Sequence, residues 1–319
     1  MRWRGAPVVL AALLVVGASR SGVVISQEVA PMADHRLPYL GQPLAGDTPV
    51  VFAPGDVSTD ARELGIVFAA DGRELYYTRV VGKLPTLLRR RLVDGTWTAE
   101  ERLALIAGQP DADHSDPAIS ADGQRLYFIS GALNESFRPG GGNIWMSRRE
   151  GSAWSSAALL PAPLNSDAGE LYPIAVADGS LYFSSNRAGG FGDQDLYRAQ
   201  YRDGAFVDAV NLGPGINTAQ TEVDPYVSPD ERLLVAAARR NGNRGALDLY
   251  ASHRSASGTW PPLVPLGDTI NTELTDYCPM VSPDGRYFFF SRRTALGGDI
   301  YWMRASALSH LARRPPGIH

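Results

Sequence analysis

Five positions in this chain share one spacing and nearly one chemistry. Glu63, His114, Glu170, Glu222 and Asp276 each stand eight residues before a recurring aspartate: Asp71, Asp122, Asp178, Asp230 and Asp284. Acids gathered at one mouth of a channel raise one another's pKa and attract a cation, an ammonium group or a hydroxyl-rich ligand. Calcium is the metal such an oxygen-rich ring would suit, although the sequence calls for no cofactor. The opposite duty is structural: each carboxylate accepts N–H bonds from its own loop, and recurrence in every repeat favours that role. Arg79, Arg187, Arg239, Arg240, Arg292 and Arg293 end the second β-run of their repeats and are placed to neutralise the acids. The candidate ligand-binding ring is therefore Glu63, His114, Glu170, Glu222 and Asp276, with Arg187 and Arg292 beside it. No residue is assigned a catalytic or metal-ligating role.

The elements that must position these residues recur with them. The five aspartates lie 51, 56, 52 and 54 residues apart, in turns such as Ala70-Asp71-Gly72, Pro229-Asp230-Glu231 and Pro283-Asp284-Gly285. Each turn is followed by an apolar or aromatic run, among them Leu126-Tyr127-Phe128 and Tyr287-Phe288-Phe289-Phe290. A short Asp-Gly turn between β-rich runs predicts a hairpin. A Gly-rich loop and a third strand come next, fullest at Gly192-Asp193-Gln194-Asp195-Leu196-Tyr197. Asn143, Asp195, Asp248 and Asp299 are expected to anchor these loops by local turns. A fourth strand often opens on tryptophan (Trp97, Trp154, Trp260), and an Asn-Thr-like turn leads to the next repeat. Four strands in about 50 residues, repeated, predict propeller blades.

The two ends of the array complement each other. Thr59 precedes Asp71 by 12 residues, as Ser166, Thr218 and Thr272 precede their own aspartates, so residues 49–59 read as the end of a blade whose start is missing. The last repeat, after Asp299-Ile300-Tyr301-Trp302, lacks a fourth strand. The predicted fold is all-β: a five-bladed β-propeller with an N-terminal strand closing the last blade, which leaves no open edge. The predicted divisions are a signal peptide at 1–18, an extension at 19–47, the propeller at 48–305 and a C-terminal tail at 306–319.

Pro225-Tyr226-Val227-Ser228-Pro229-Asp230 and Pro279-Met280-Val281-Ser282-Pro283-Asp284-Gly285, with the later Gly-Asp-Ile-Tyr at 298–301, resemble the TolB-type propeller repeat. The second and third repeats have Ala for Pro, and the first lacks the Asp-Ile/Leu-Tyr element. The resemblance implies a β-propeller and protein contacts in the bacterial envelope. It is specific for fold and says little of function, because propellers host many activities.

Arg2 and Arg4 before the uncharged run from Ala6 to Val16, with Gly17-Ala18 behind it, read as a secretory signal, so the protein is expected to be periplasmic or secreted. No later stretch is long enough to span a membrane. The formal charge is −4 and becomes −6 once Arg2 and Arg4 are removed, which gives nucleic acid nothing to hold. The lone Cys278 cannot form an intrachain disulfide and reads as a small buried apolar residue. No nucleophile elbow, zinc pair or phosphate loop is present. The chain is read as a noncatalytic recognition module for a protein, peptide or glycan. The alternative is a five-bladed glycoside hydrolase drawing its acid and nucleophile from Glu63, Glu170, Glu222 and Asp276. Equivalent repeat positions argue against it, since catalytic carboxylates occupy unlike surroundings.

Overall fold

The computed structural model describes residues 38–131, 142–295 and 297–311. The expected signal peptide and most of the extension behind it lie outside these residues. What is described is almost wholly β-structure, numbered here in chain order.

Strand β1 (Val50–Val51) stands apart from the first repeat, which comprises β2 (Arg62–Phe68), β3 (Glu74–Val81), β4 (Leu84–Val93) and the short β5 (Thr96–Trp97) and β6 (Glu101–Arg102). The second repeat is β7 (Ser115–Ile119), β8 (Arg125–Ser130), β9 (Asn143–Glu150), β10 (Ala153–Trp154) and β11 (Ala158–Leu159). The third is β12 (Glu170–Ala175), β13 (Leu181–Ser185), β14 (Asp195–Arg202) and β15 (Ala205–Asn211). The fourth is β16 (Thr221–Val227), β17 (Leu233–Arg239), β18 (Asp248–His253) and β19 (Val264–Pro265). The fifth is β20 (Thr275–Val281), β21 (Tyr287–Arg293) and β22 (Gly298–Arg304), followed by helix α1 (Ser306–Leu311).

Within each repeat the main strands pair antiparallel with their sequence neighbours, while the short β6 pairs with β4 and β11 with β9. The fifth repeat takes its fourth strand from the other end of the chain: Val50 pairs with Trp302 and Val51 with Tyr301. Ser58 reinforces the junction, its hydroxyl accepting from Ile300 N–H at 3.2 Å. First strands of successive repeats lie side by side, β2 by β7, β7 by β12, β12 by β16 and β16 by β20, and β20 lies again beside β2. Arg62 and Gly298 add a parallel bridge between the first and last repeats.

The sequence explains the form of each repeat. All five turn aspartates accept the N–H two residues on, at Arg73, Gln124, Ser180, Arg232 and Arg286. This is the Asx turn that starts a tight reversal. The residue after the aspartate takes a left-handed conformation every time, with φ from 54° to 87°. Glycine accepts that freely, and in the fourth repeat Glu231 holds it without glycine's freedom. The second strands sit inside their sheets with both faces covered, so they read as continuous apolar runs. Tyr76, Tyr127, Phe128, Tyr182, Phe183 and Phe288 are fully enclosed there. Outer strands such as β15 alternate between exposed and half-buried residues, as one solvated face demands.

Candidate functional site

The predicted ring residues occupy the starts of the first strands, and four of them form one repeated latch. Glu63 accepts from Thr59 N–H and hydroxyl at 3.1 and 2.7 Å and from Arg79 Nε at 2.7 Å. Glu222 accepts from Thr218 N–H and hydroxyl, both at 2.7 Å, and pairs with Arg240 at 2.9 Å. Asp276 accepts from Thr272 N–H at 2.8 Å and Arg292 Nε at 2.6 Å. Glu170 takes Ser166, Ser185 and Arg187 on the single oxygen Oε1. Its Oε2 finds no partner among the described residues.

Each arginine then reaches the preceding loop: Arg187 donates to the carbonyls of Pro163 and Leu164, Arg240 to Ile216 and Arg292 to Ile270. The residue before each Ser/Thr holds the third strand of the previous repeat, as Asn217 does by donating to Leu196 O at 3.0 Å and accepting from its N–H at 2.8 Å. One short motif thus ties two repeats together. All four carboxylate side chains have zero solvent exposure. Burial pushes the carboxyls of Glu170, Glu222 and Asp276 upward, and the hydroxyl donors and paired arginines pull them back. Of the adjacent arginine pairs in sequence, Arg240 and Arg292 do the pairing, whereas Arg239 and Arg293 stand exposed.

His114 fills the fifth place without charge. It is buried against Phe128, with ring centroids 4.8 Å apart. Its Nδ1 donates to Ala112 O at 2.8 Å and its Nε2 accepts from Leu105 N–H at 3.3 Å. Burial holds its pKa below the usual imidazole value. Ser130 and Gly131 stand where the other repeats place arginine, so a carboxylate here would lack its counter-charge and a neutral ring fits instead. The loop-anchoring reading holds for Asp195 and Asp248, each accepting two backbone N–H bonds, from Phe191 and Gly192 and from Arg244 and Gly245.

A second constellation, which the sequence reading missed, lies two residues further along the same strands. Gly65, Asp116, Tyr172, Asp224 and Cys278 each follow a ring residue by two, and each sits at a β-bulge with φ between 47° and 56°. They converge. A methyl group placed on Gly65 would lie 3.6 Å from the Tyr172 ring and 3.7 Å from Asp116 Oδ1. Cys278 donates to Asp224 Oδ2 from its N–H at 3.3 Å and its thiol at 3.5 Å. Arg62 bonds Tyr277 at 3.3 Å, and its charge favours the ionised form of both acids. Burial, reinforced by the charge of Asp224, pushes Asp116 up to about 7. Burial likewise pushes Asp224 up to about 6, opposed by the Cys278 donors and Arg62. Cys278 is buried as expected, yet it faces a carboxylate and not a wholly apolar core.

Two residues further still, or three in the second repeat, the same strands become apolar. Val67, Ile119, Ile174, Tyr226 and Met280, one from each repeat, line a cavity of about 490 Å³ with Ser120, Ser228 and Asp230 at its turns. It lies at the ends of the first strands opposite those holding the latches. Such a cleft accepts apolar side chains on its walls. The signal was present in the alternation: an apolar residue lies four or five positions after each ring residue, with Asp, Tyr or Cys two positions after it in four repeats. Among the described residues no group of three or more His, Cys, Asp and Glu could hold a metal ion. Nor is any described helix long and apolar enough to cross a membrane.

Comparison with solved structures finds similar folds at low sequence identity. A putative TolB from Agrobacterium tumefaciens aligns with a TM-score of 0.51 at 17% identity, covering 78% of this chain and 79% of that one. TolB from Acinetobacter baumannii aligns at 16% identity and a TM-score of 0.48, covering 78% of this chain and 53% of that one, so this chain spans about half its length. The catalytic domain of a Coprinopsis cinerea GH62 α-L-arabinofuranosidase aligns at 11% identity and a TM-score of 0.48, covering 81% and 97%. At these identities the likeness to the Agrobacterium protein shows a TolB-type fold and nothing about activity. No family profile matches the chain, and no curated protein does.

Proposed function

We propose that this chain is an exported five-bladed β-propeller acting as a noncatalytic recognition module in the bacterial envelope, holding an apolar segment of a protein or peptide partner in the cavity at the ends of its first strands. The carrying observation is that all five repeats contribute a residue to that one cavity. The pairing of β1 with β22 and the return of β20 to β2 support five blades closed into a ring. Arg2, Arg4 and the apolar run behind them support export. The four strand-start carboxylates are enclosed and already bonded, which supports structural duty for them over glycoside hydrolysis or calcium binding.

The test is peptide selection. Peptides chosen from a random display library on the wild-type protein are expected to carry apolar residues and to bind Met280→Glu at least tenfold more weakly, while Lys83→Ala, on an exposed turn, leaves affinity unchanged. A selection that yields no binder, or binders indifferent to Met280→Glu, refutes the reading.

A further inference from the structure

Two junctions between repeats are built from the same parts and end differently. Between the first and second repeats, Arg149 grips Glu74 through two bonds of 3.0 and 2.6 Å and stands 4.1 Å from the centre of the Trp154 ring. The Trp154 indole N–H donates to the Tyr76 hydroxyl at 3.0 Å, and that hydroxyl donates to Glu74 at 2.6 Å. Every polar group of the junction is consumed.

Between the third and fourth repeats, Tyr182, Arg254 and Trp260 take the equivalent places, but the carboxylate comes from Glu231 in the turn of the later repeat. Glu231 accepts from Tyr182 at 2.8 Å, Arg198 at 2.6 Å and Arg254 at 2.9 Å. That arrangement leaves the Trp260 indole N–H without a partner among the described residues, and a groove of about 410 Å³ lies beside it. Gln200 and Asp208, on its wall, also make no side-chain hydrogen bond to any described residue. Val210, 60% exposed, supplies an aliphatic face.

The chemistry selects an occupant. Arg198 and Arg254 are matched by Glu231 and Asp178, and Asp208 is left over, so the groove does not favour an anion. It offers an aromatic and aliphatic surface edged by an indole donor, an amide and a carboxylate. A pyranose ring is the complement, with an apolar C–H face and a rim of hydroxyls that both donate and accept. We propose that this groove is a binding subsite for a neutral saccharide, independent of the cavity at the ends of the first strands.

Saturation-transfer NMR of the protein with malto-, cello-, xylo- and mannohexaose tests it. At least one hexasaccharide is expected to receive saturation, with a Kd raised tenfold or more by Trp260→Ala and by Val210→Arg, and unchanged by Met280→Glu. Val210→Arg changes only a solvent-facing side chain, so loss of binding there does not reflect loss of fold. Absence of transfer to all four sugars, or undiminished transfer with Val210→Arg, overturns the proposal.

Discussion

Two sets of acids stand two residues apart on the same strands, and they do opposite things. Glu222 is enclosed, bonded by Thr218 and paired with Arg240. Asp224, across the bulge, meets a thiol, one backbone N–H and a shared arginine, and its carboxyl is pushed up to about 6. The first position secures the loop between repeats, while the second puts poorly compensated charge into the middle of the molecule. An acid's role here follows from the donors its loop delivers, and its residue type alone says little.

The contrast breaks most sharply where a latch loses its cation. Arg292→Ala leaves Asp276 buried with only Thr272 to satisfy it, and is expected to cost about 3–5 kcal/mol, the usual penalty for orphaning a buried charge. Urea denaturation measures it, and a loss under about 1 kcal/mol would contradict the latch. The next effect has the opposite sign. The folded-state pKa of Asp116 lies above its ordinary value, so its stabilising contribution is present at low pH and is lost as pH rises toward about 7. Asp116→Asn should therefore exceed wild type in stability at pH 8 by at least about 1.4 kcal/mol, the worth of one pKa unit, with the advantage fading toward pH 4. Melting curves at both pH values decide it, and a variant less stable than wild type at pH 8 contradicts the reading. The smallest expected effect is none: millimolar calcium leaves the wild-type melting temperature unchanged, because the latch carboxylates are enclosed and each is already paired with an arginine. A rise of several degrees would make the latches a cation site.

The sequence carried the repeat spacing, the hairpins and the register that brings residues 49–59 to the last strand, because local turn chemistry recurs and can be counted. It also placed Glu63, Glu170, Glu222 and Asp276 in equivalent positions. It did not reveal that Arg240 and not Arg239 closes its latch, since a one-residue difference at a strand end decides which side chain turns inward. The central cluster escaped for the same reason. The i, i+2 spacing puts Asp224 on the face of Glu222, but it does not say that Asp224 turns to Cys278 and not to the latch. That depends on five bulges, each an extra residue that re-aims a side chain. His114 was legible as an exception, but its meaning rests on Gly131, which sequence gives no reason to pair with it.

The pairing of Val50–Val51 with β22 carries a consequence for how the chain comes into being. Ser58 and Ile300 are 242 residues apart, so β1 is made long before the strand it pairs with. Until that partner arrives, the early strand has no sheet to join, and each finished repeat still lacks the neighbour that will complete the set. Joining such distant segments is entropically costly and slow, and the interim species carries bare strand edges. The pairing of β1 with β22 therefore forms only after the whole run between them has been made.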